Sequence, residues 1–171
     1  IKYKEETHDM KIRQVKKEDL AAICNIELLT FPPQEAASYE TFLYRHIHFP
    51  QYFFLAESGD GAIAAFLSGR PVDIADDAGI DDKMYENSLF PEGDAFALLS
   101  INTLPDLQGK GFASALITHA IGEAASLGCR RMILACKEEK ITFYEQFGFR
   151  QQGLSVSEHG GAVWYDMSAD L

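Results

Sequence analysis

The 171-residue chain has no apolar run approaching the roughly 20 residues that a membrane span requires, and its opening stretch, IKYKEETHD, lacks the apolar core of a secretory signal. Cysteine is scarce. Cys24, Cys129 and Cys136 are odd in number and show no CxxC spacing, which argues against a disulfide framework and makes reduced, mostly buried thiols in a cytoplasmic protein the expectation. The five histidines are scattered, and His46 and His48, two residues apart, do not share a helical face, so no metal site is predicted. Basic residues are also few, 15 Lys and Arg against 26 Asp and Glu. The resulting net charge of −11 argues against a phosphate-tracking nucleic-acid binder and suits a cationic substrate. Repeats and linker-like stretches are absent. At 47% hydrophobic residues, the chain is expected to form a single domain over residues 10–171, with residues 1–9 a short arm or appended segment.

What is present centres on residues 95–127, AFALLSINTLPDLQGKGFASALITHAIGEAASL. The first part is apolar and free of Gly and Pro until Pro105, as befits a strand covered on both faces. Gln108, Gly109, Lys110 and Gly111 then form a polar loop before Phe112 and Ala113 open a helix. Glycines let backbone approach a ligand, free N–H groups at a helix start bind anions, and Lys110 adds a cation. The chemistry is that of a phosphate cradle. Neither GxxxxGK[ST] nor GxGxxG is matched.

Around this centre, residues 10–15 alternate as a first strand. Leu20, Ile23, Cys24, Glu27, Leu28 and Phe31 form a helical stripe stopped by Pro32-Pro33. A second helix is expected from Ser38, presenting Phe42, Leu43, His46 and Phe49. Residues 52–57 and 62–69 flank Ser58-Gly59-Asp60-Gly61 as a hairpin. Residues 70–94 are strongly acidic and read as a solvated excursion, with one helical turn over residues 83–89. In the central helix Ala113, Leu116, Ile117, Ala120, Ala124 and Leu127 form the apolar stripe, and Gly128 suits its C′ position. Residues 131–136 read as a strand, 140–147 as a short helix closed by Gly148, and 149–156 and 162–167 as two last strands. The pattern predicts an α/β domain with a mixed sheet.

The run Gln108-Gly109-Lys110-Gly111-Phe112-Ala113 fits Q/R-x-x-G-x-G/A, and Phe143-Tyr144-Glu145-Gln146-Phe147-Gly148-Phe149 supplies an aromatic-Tyr-x-x-x-Gly-Phe box about thirty residues on. In these two motifs the chain resembles the GNAT superfamily of acyl-CoA-dependent N-acyltransferases. The resemblance implies the GNAT fold, a mixed and mostly antiparallel central sheet flanked by helices, and a transferase that uses acetyl-CoA as co-substrate. Residues 26–38 and the C-terminal half look most like the arylalkylamine N-acetyltransferases and their bacterial relatives. Two departures stand out: the histidine positions of that family align with Ala97 and Leu99, and the Asn common before the Tyr box falls at Lys137.

By resemblance, Gly109, Lys110, Gly111, Phe112, Ala113 and Ser114, with Gln108, hold the CoA pyrophosphate. The edge formed by Ile101, Asn102 and Thr103 aligns the pantetheine, and an N–H at Ile101 supports the oxyanion. Tyr144 is the candidate general acid and also borders the cofactor. Phe31 and Glu35 are candidate acceptor contacts, and Glu27, Glu35 or a water chain the candidate base. The implied partners are acetyl-CoA and a primary amine of a small molecule, joined by direct attack in a ternary complex. A homodimer is an option, and neither nucleic acid nor membrane is expected. Two other readings stand beside this one: a protein N-terminal acetyltransferase, against which Ala135 weighs because a catalytic glutamate is aligned there, and a non-catalytic CoA-binding module.

Overall fold

The computed structural model describes residues 9–75, 78–87 and 93–171. Its centre is a seven-stranded sheet in the order β1-β2-β3-β4-β5-β7-β6, with β4 and β5 parallel and every other pair antiparallel. The strands are β1 (Lys11–Gln14), β2 (Phe53–Glu57), β3 (Ile63–Val72), β4 (Ala95–Thr103), β5 (Arg131–Cys136), β6 (Arg150–Leu154) and β7 (Tyr165–Asp170). The helices are α1 (Leu20–Thr30), α2 (Tyr39–His48), α3 (Phe112–Ser126) and α4 (Ile141–Glu145). The mixed, mostly antiparallel sheet is the expected architecture.

Alternation along β2 distributes its side chains to two cores. Phe53 and Leu55 join Phe66 under Leu20, Ile23, Ile26 and Phe42 of α1 and α2. Phe54 and Ala56 face the opposite core, with Leu116, Ile117, Ala120 and Ala124 of α3 and Tyr144 of α4. Ser38 caps α2 by accepting a hydrogen bond from the Thr41 N–H at 3.2 Å, as its residue type predicts.

Several expectations shift. β3 runs on through Gly69, Arg70 and Pro71 to Val72, because these residues pair with Leu98, Ala97, Phe96 and Ala95 of β4. The apolar stripe of α3 begins at Phe112, and Leu127 lies beyond the helix and is exposed. The last strand starts at Tyr165, three residues later than expected, because its pairing begins there, opposite Cys136 of β5 and Leu154 of β6. The 70–94 stretch is not simply solvated: Ile80 and Met84 are buried in a third cluster with Val72, Ala95, Ala97, Leu99 and Ile133. Its helical turn is Asp82–Tyr85; Ser88 and Leu89 lie outside the described residues, as do residues 1–8 of the expected arm.

One irregularity shapes everything near the site. Ser100 of β4 sits opposite Ser68 while Leu98 sits opposite Gly69, so Leu99 is an extra residue in the ladder. Such a bulge bends its strand. Parallel pairing with β5 stops at Ala97 opposite Ile133, and beyond that point the two strands part.

Candidate active site

The gap between the parted strands opens into a cavity of about 840 Å³. One end is bounded by the 108–114 loop. Gly109 and Gly111 have φ of 75° and 89°, a conformation in which other residues are strained, and a Cβ at either would meet nothing within 4 Å. Space in front of this backbone is therefore open. Gly111 is the N-cap of α3 and no side chain caps it, so the first N–H groups of a fifteen-residue helix face that space. Gln108 ties the loop to the strand end by donating from Nε2 to the Thr103 carbonyl at 3.4 Å. Ile101, Asn102, Thr103, Phe112, Ala113 and Ser114 also border the cavity, as does Tyr144. Lys110 is exposed and does not line it. Ile101 stands in register with Leu67, so the residue left without a β3 partner is Leu99.

Tyr144 is 7% exposed and its ring packs edge-on against Phe143 and Phe149 at centroid distances of 5.1 and 5.9 Å. Its hydroxyl makes no hydrogen bond among the described residues. Burial, Cys136 and Tyr85 together push its pKa up, which keeps the phenol protonated at neutral pH. Cys136 also borders the cavity, and burial raises its thiol to about 11.

The other end of the cavity is built from α1, α2, the loop between them and two distant turns. Glu27 of α1 is 2% exposed and crosses to β4. Asn102 Nδ2 donates to its Oε2 at 2.5 Å, and the Ala37 N–H donates to Oε1 at 3.1 Å. Burial outweighs these bonds and the attraction of Arg45, raising Glu27 to about 6. Glu35 forms an ion pair with Lys137, Oε1 to Nζ 2.9 Å, and its Oε2 is buried without a partner among the described residues. Lys137 in turn lies over the Trp164 ring at 5.6 Å. Phe31 lines the cavity, half-buried at the end of α1. The structure thus brings all the candidate residues except Lys110 around one cavity.

Four side chains at this end had no flag in the sequence. Tyr85, from the acidic excursion, stacks on His159 at 4.5 Å and 11°. His159 bonds through Nε2 to the Glu35 carbonyl at 2.8 Å, and Trp164 Nε1 donates to the His159 carbonyl at 2.9 Å. Asp82 accepts from the Ser157 hydroxyl and from the Glu158 N–H, clamping the excursion to the β6–β7 turn. Arg45 of α2 is the fourth. It is 3% exposed and donates from Nη1 to Ser68 Oγ at 2.8 Å and Ser100 Oγ at 3.2 Å. Its position, three residues after Phe42 and four before Phe49, was the available signal: a charge on the buried face of a helix.

A family model described as acetyltransferase (GNAT) family matches residues 20–149. No curated protein matches the chain. Among solved structures, the GphF GNAT-like decarboxylase in complex with isobutyryl-CoA superposes with a TM-score of 0.79 at 20% identity, covering 94% of this chain and 98% of that one. The loading GNATL domain of CurA from Lyngbya majuscula gives 0.78 at 19%, covering 94% and 97%. The ribosomal-protein-S18-alanine N-acetyltransferase from Escherichia coli gives 0.66 at 22%, covering 94% and 93%. At these identities the likeness is one of fold.

Proposed function

The chain belongs to the acetyltransferase (GNAT) family, and on that premise we propose that it moves the acetyl group of acetyl-CoA to a primary amine of a small molecule. The observation that carries this reading is the parting of β4 and β5 into a cavity that ends, on one side, at the uncapped start of α3. Phosphate oxygens suit the N–H groups of residues 112–114. The pantetheine amides suit the unpaired edge of β4 at residues 101–103.

Tyr144 and Glu27 reach this gap from opposite faces of the sheet. Glu27, ionised above pH 6, takes a proton from the entering ammonium. The neutral amine attacks the thioester carbonyl, and N–H groups of β4 beyond the bulge, with Ile101 the candidate, support the oxyanion. The C–S bond breaks, the nitrogen releases its second proton to water or to the phenolate that forms, and Tyr144 donates its hydrogen bond or its proton to the departing sulfur. Glu35 is ion-paired to Lys137 through Oε1, and we take Glu27, whose hydrogen-bonded oxygens each keep a second lone pair and whose pKa is raised to about 6, as the base. Transfer is direct: at a pKa of about 11 the Cys136 thiol is almost wholly protonated at neutral pH and makes a poor acyl carrier.

Support for a small acceptor comes from the far end of the cavity. The Tyr85–His159 stack, Trp164 and the bond from His159 to the 32–38 loop border it, and a peptide chain would have to pass between them. The likeness of residues 26–38 to the substrate loop of arylalkylamine N-acetyltransferases points the same way. The test is CoA release from acetyl-CoA with a panel of small amines and of peptides with free N-termini. Turnover is expected with amines; turnover confined to peptides overturns the reading.

A further inference from the structure

We propose that one of the two reactants carries a carboxylate, and that Arg45 is its receptor at the far end of the cavity. This rests on the acyl-transfer reading above. Arg45 lines the cavity, yet it is 3% exposed, and its described polar contacts are two neutral hydroxyls, Ser68 Oγ and Ser100 Oγ, both on Nη1. None of the ion pairs among the described residues includes it, and Nη2 and Nε make no hydrogen bond among them. A guanidinium offers five donors in a fixed fork, and a buried one is costly until an anion meets it.

The neighbouring groups do not meet that demand. Both oxygens of Glu27 are taken, by Ala37 and Asn102, so its attraction for Arg45 acts from a distance. Tyr85 is held neutral by burial. Lys137 is matched by Glu35, and Arg70 adds positive potential. Burial lowers Arg45 only to about 10, so it is charged at neutral pH. One fork of positive charge with no anion in contact, oriented by two hydroxyls and lying over the Phe42 ring at 5.6 Å, matches a planar monoanion; a phosphate dianion calls for a second free cation.

The carboxylate has two sources. It belongs either to the acceptor, as in an α-amino acid, or to the acyl group, as in a dicarboxylic thioester. Ser100 immediately follows the bulged Leu99, so Arg45 stands beside the stretch of β4 assigned to the thioester and the attacking amine alike. The reaction balances as before: a C–N bond forms and the C–S bond breaks; the ammonium loses one proton to Glu27 before attack, and the second N–H proton, lost after attack, replaces the one that the sulfur receives from Tyr144 or water.

The experiment measures kcat/KM for matched pairs on the full chain. One arm sets α-amino acids against their amides with acetyl-CoA. The other sets malonyl- and succinyl-CoA against acetyl- and butyryl-CoA with a simple amine. The charged member is expected to win in one arm by about 30-fold or more, and Arg45→Met is expected to bring that ratio toward one. The winning arm identifies the source. Equal use of both members in both arms by the unaltered protein, or a preference that survives Arg45→Met, overturns the assignment. Should Arg45→Met not fold, Ser100→Ala, which removes one orienting hydroxyl, is expected to shrink the ratio, and an unchanged ratio again overturns it. Arg45-dependent calorimetric binding of the amino acid or of malonyl-CoA without any CoA release sinks the acyl-transfer reading alone. Release with neutral and charged partners alike sinks this one alone.

Discussion

Replacing Glu27 by Gln keeps the shape of the side chain and removes its charge, and the structure supplies the magnitudes. Burial raises the carboxyl from its ordinary 4.5 to about 6, which corresponds to roughly 2 kcal/mol of charge-burial cost at neutral pH. Because the folded value lies above the unfolded one, this acid's contribution to stability is fully present below pH 4.5 and is lost as pH rises through 6. Glu27→Gln abolishes that slope. At pH 7.5 the variant gains about 2 kcal/mol, but its single oxygen cannot serve both Asn102 and Ala37. One buried donor then faces an amide NH2, at a cost of about 1–3 kcal/mol. Net stability at pH 7.5 therefore stays nearly level, while the Tm difference between the two proteins tilts between pH 4.5 and 6. Activity does not stay level. Loss of a general base costs about 10²- to 10⁴-fold, and the penalty shrinks toward the pKa of the amine, where free base is abundant. The assay is CoA release with the best amine across pH 5–9, paired with thermal melts. The unaltered protein is expected to show a rising limb in kcat/KM near pH 6, and the variant none. A variant within threefold of normal that keeps this limb would show that Glu27 only holds Asn102 and the 32–38 loop in place.

Tyr144→Phe removes a hydroxyl that has no partner among the described residues, so Tm is expected to hold while kcat falls about 30- to 150-fold, the worth of roughly 2–3 kcal/mol in a charge-assisted bond to the leaving sulfur. Unchanged turnover with a lower Tm would return Tyr144 to the core. Gly111→Asp forces a charged, β-carbon-bearing residue into φ 89° at the mouth of the phosphate cradle, and calorimetry is expected to show CoA affinity reduced at least about tenfold. Unaltered affinity would put the nucleotide elsewhere. Phe31→Ala is expected to raise the KM for the amine several-fold and leave that for acetyl-CoA unchanged; no change in either removes Phe31 from the acceptor wall.

Local chemistry was legible in the sequence where a single residue type decides the conformation. Ser38 starts α2, Gly128 and Gly148 follow α3 and α4 with positive φ, and the RMILAC run is β5 in full. The Gln108–Ala113 loop was legible for the same reason. What escaped depends on partners far along the chain. Gly69-Arg70-Pro71 reads as the end of a strand until β4 is seen beside it. Leu99 becomes a bulge only through the register of Ser68 and Gly69 across from it. The far end of the cavity is the extreme case, since Tyr85 and His159 are 74 positions apart and meet because Asp82 clamps one turn to the other. Acidic residues that look like solvated surface in composition serve there as tethers.

The short seam between β4 and β5 makes cofactor supply a matter of protein lifetime. Three residue pairs join the strands, so the two halves of the sheet are held together at the cleft by little main-chain bonding, and a thioester bound as proposed would act as an inserted splint. Mass action sets its worth: at a hundredfold excess over Kd the folded state gains about 2.7 kcal/mol. Those amide protons of residues 98–103 that point away from β3 are then the reporters, expected to exchange faster in the free protein than in the loaded one. Resistance of the purified chain to a protease is then expected to rise with added acyl-CoA.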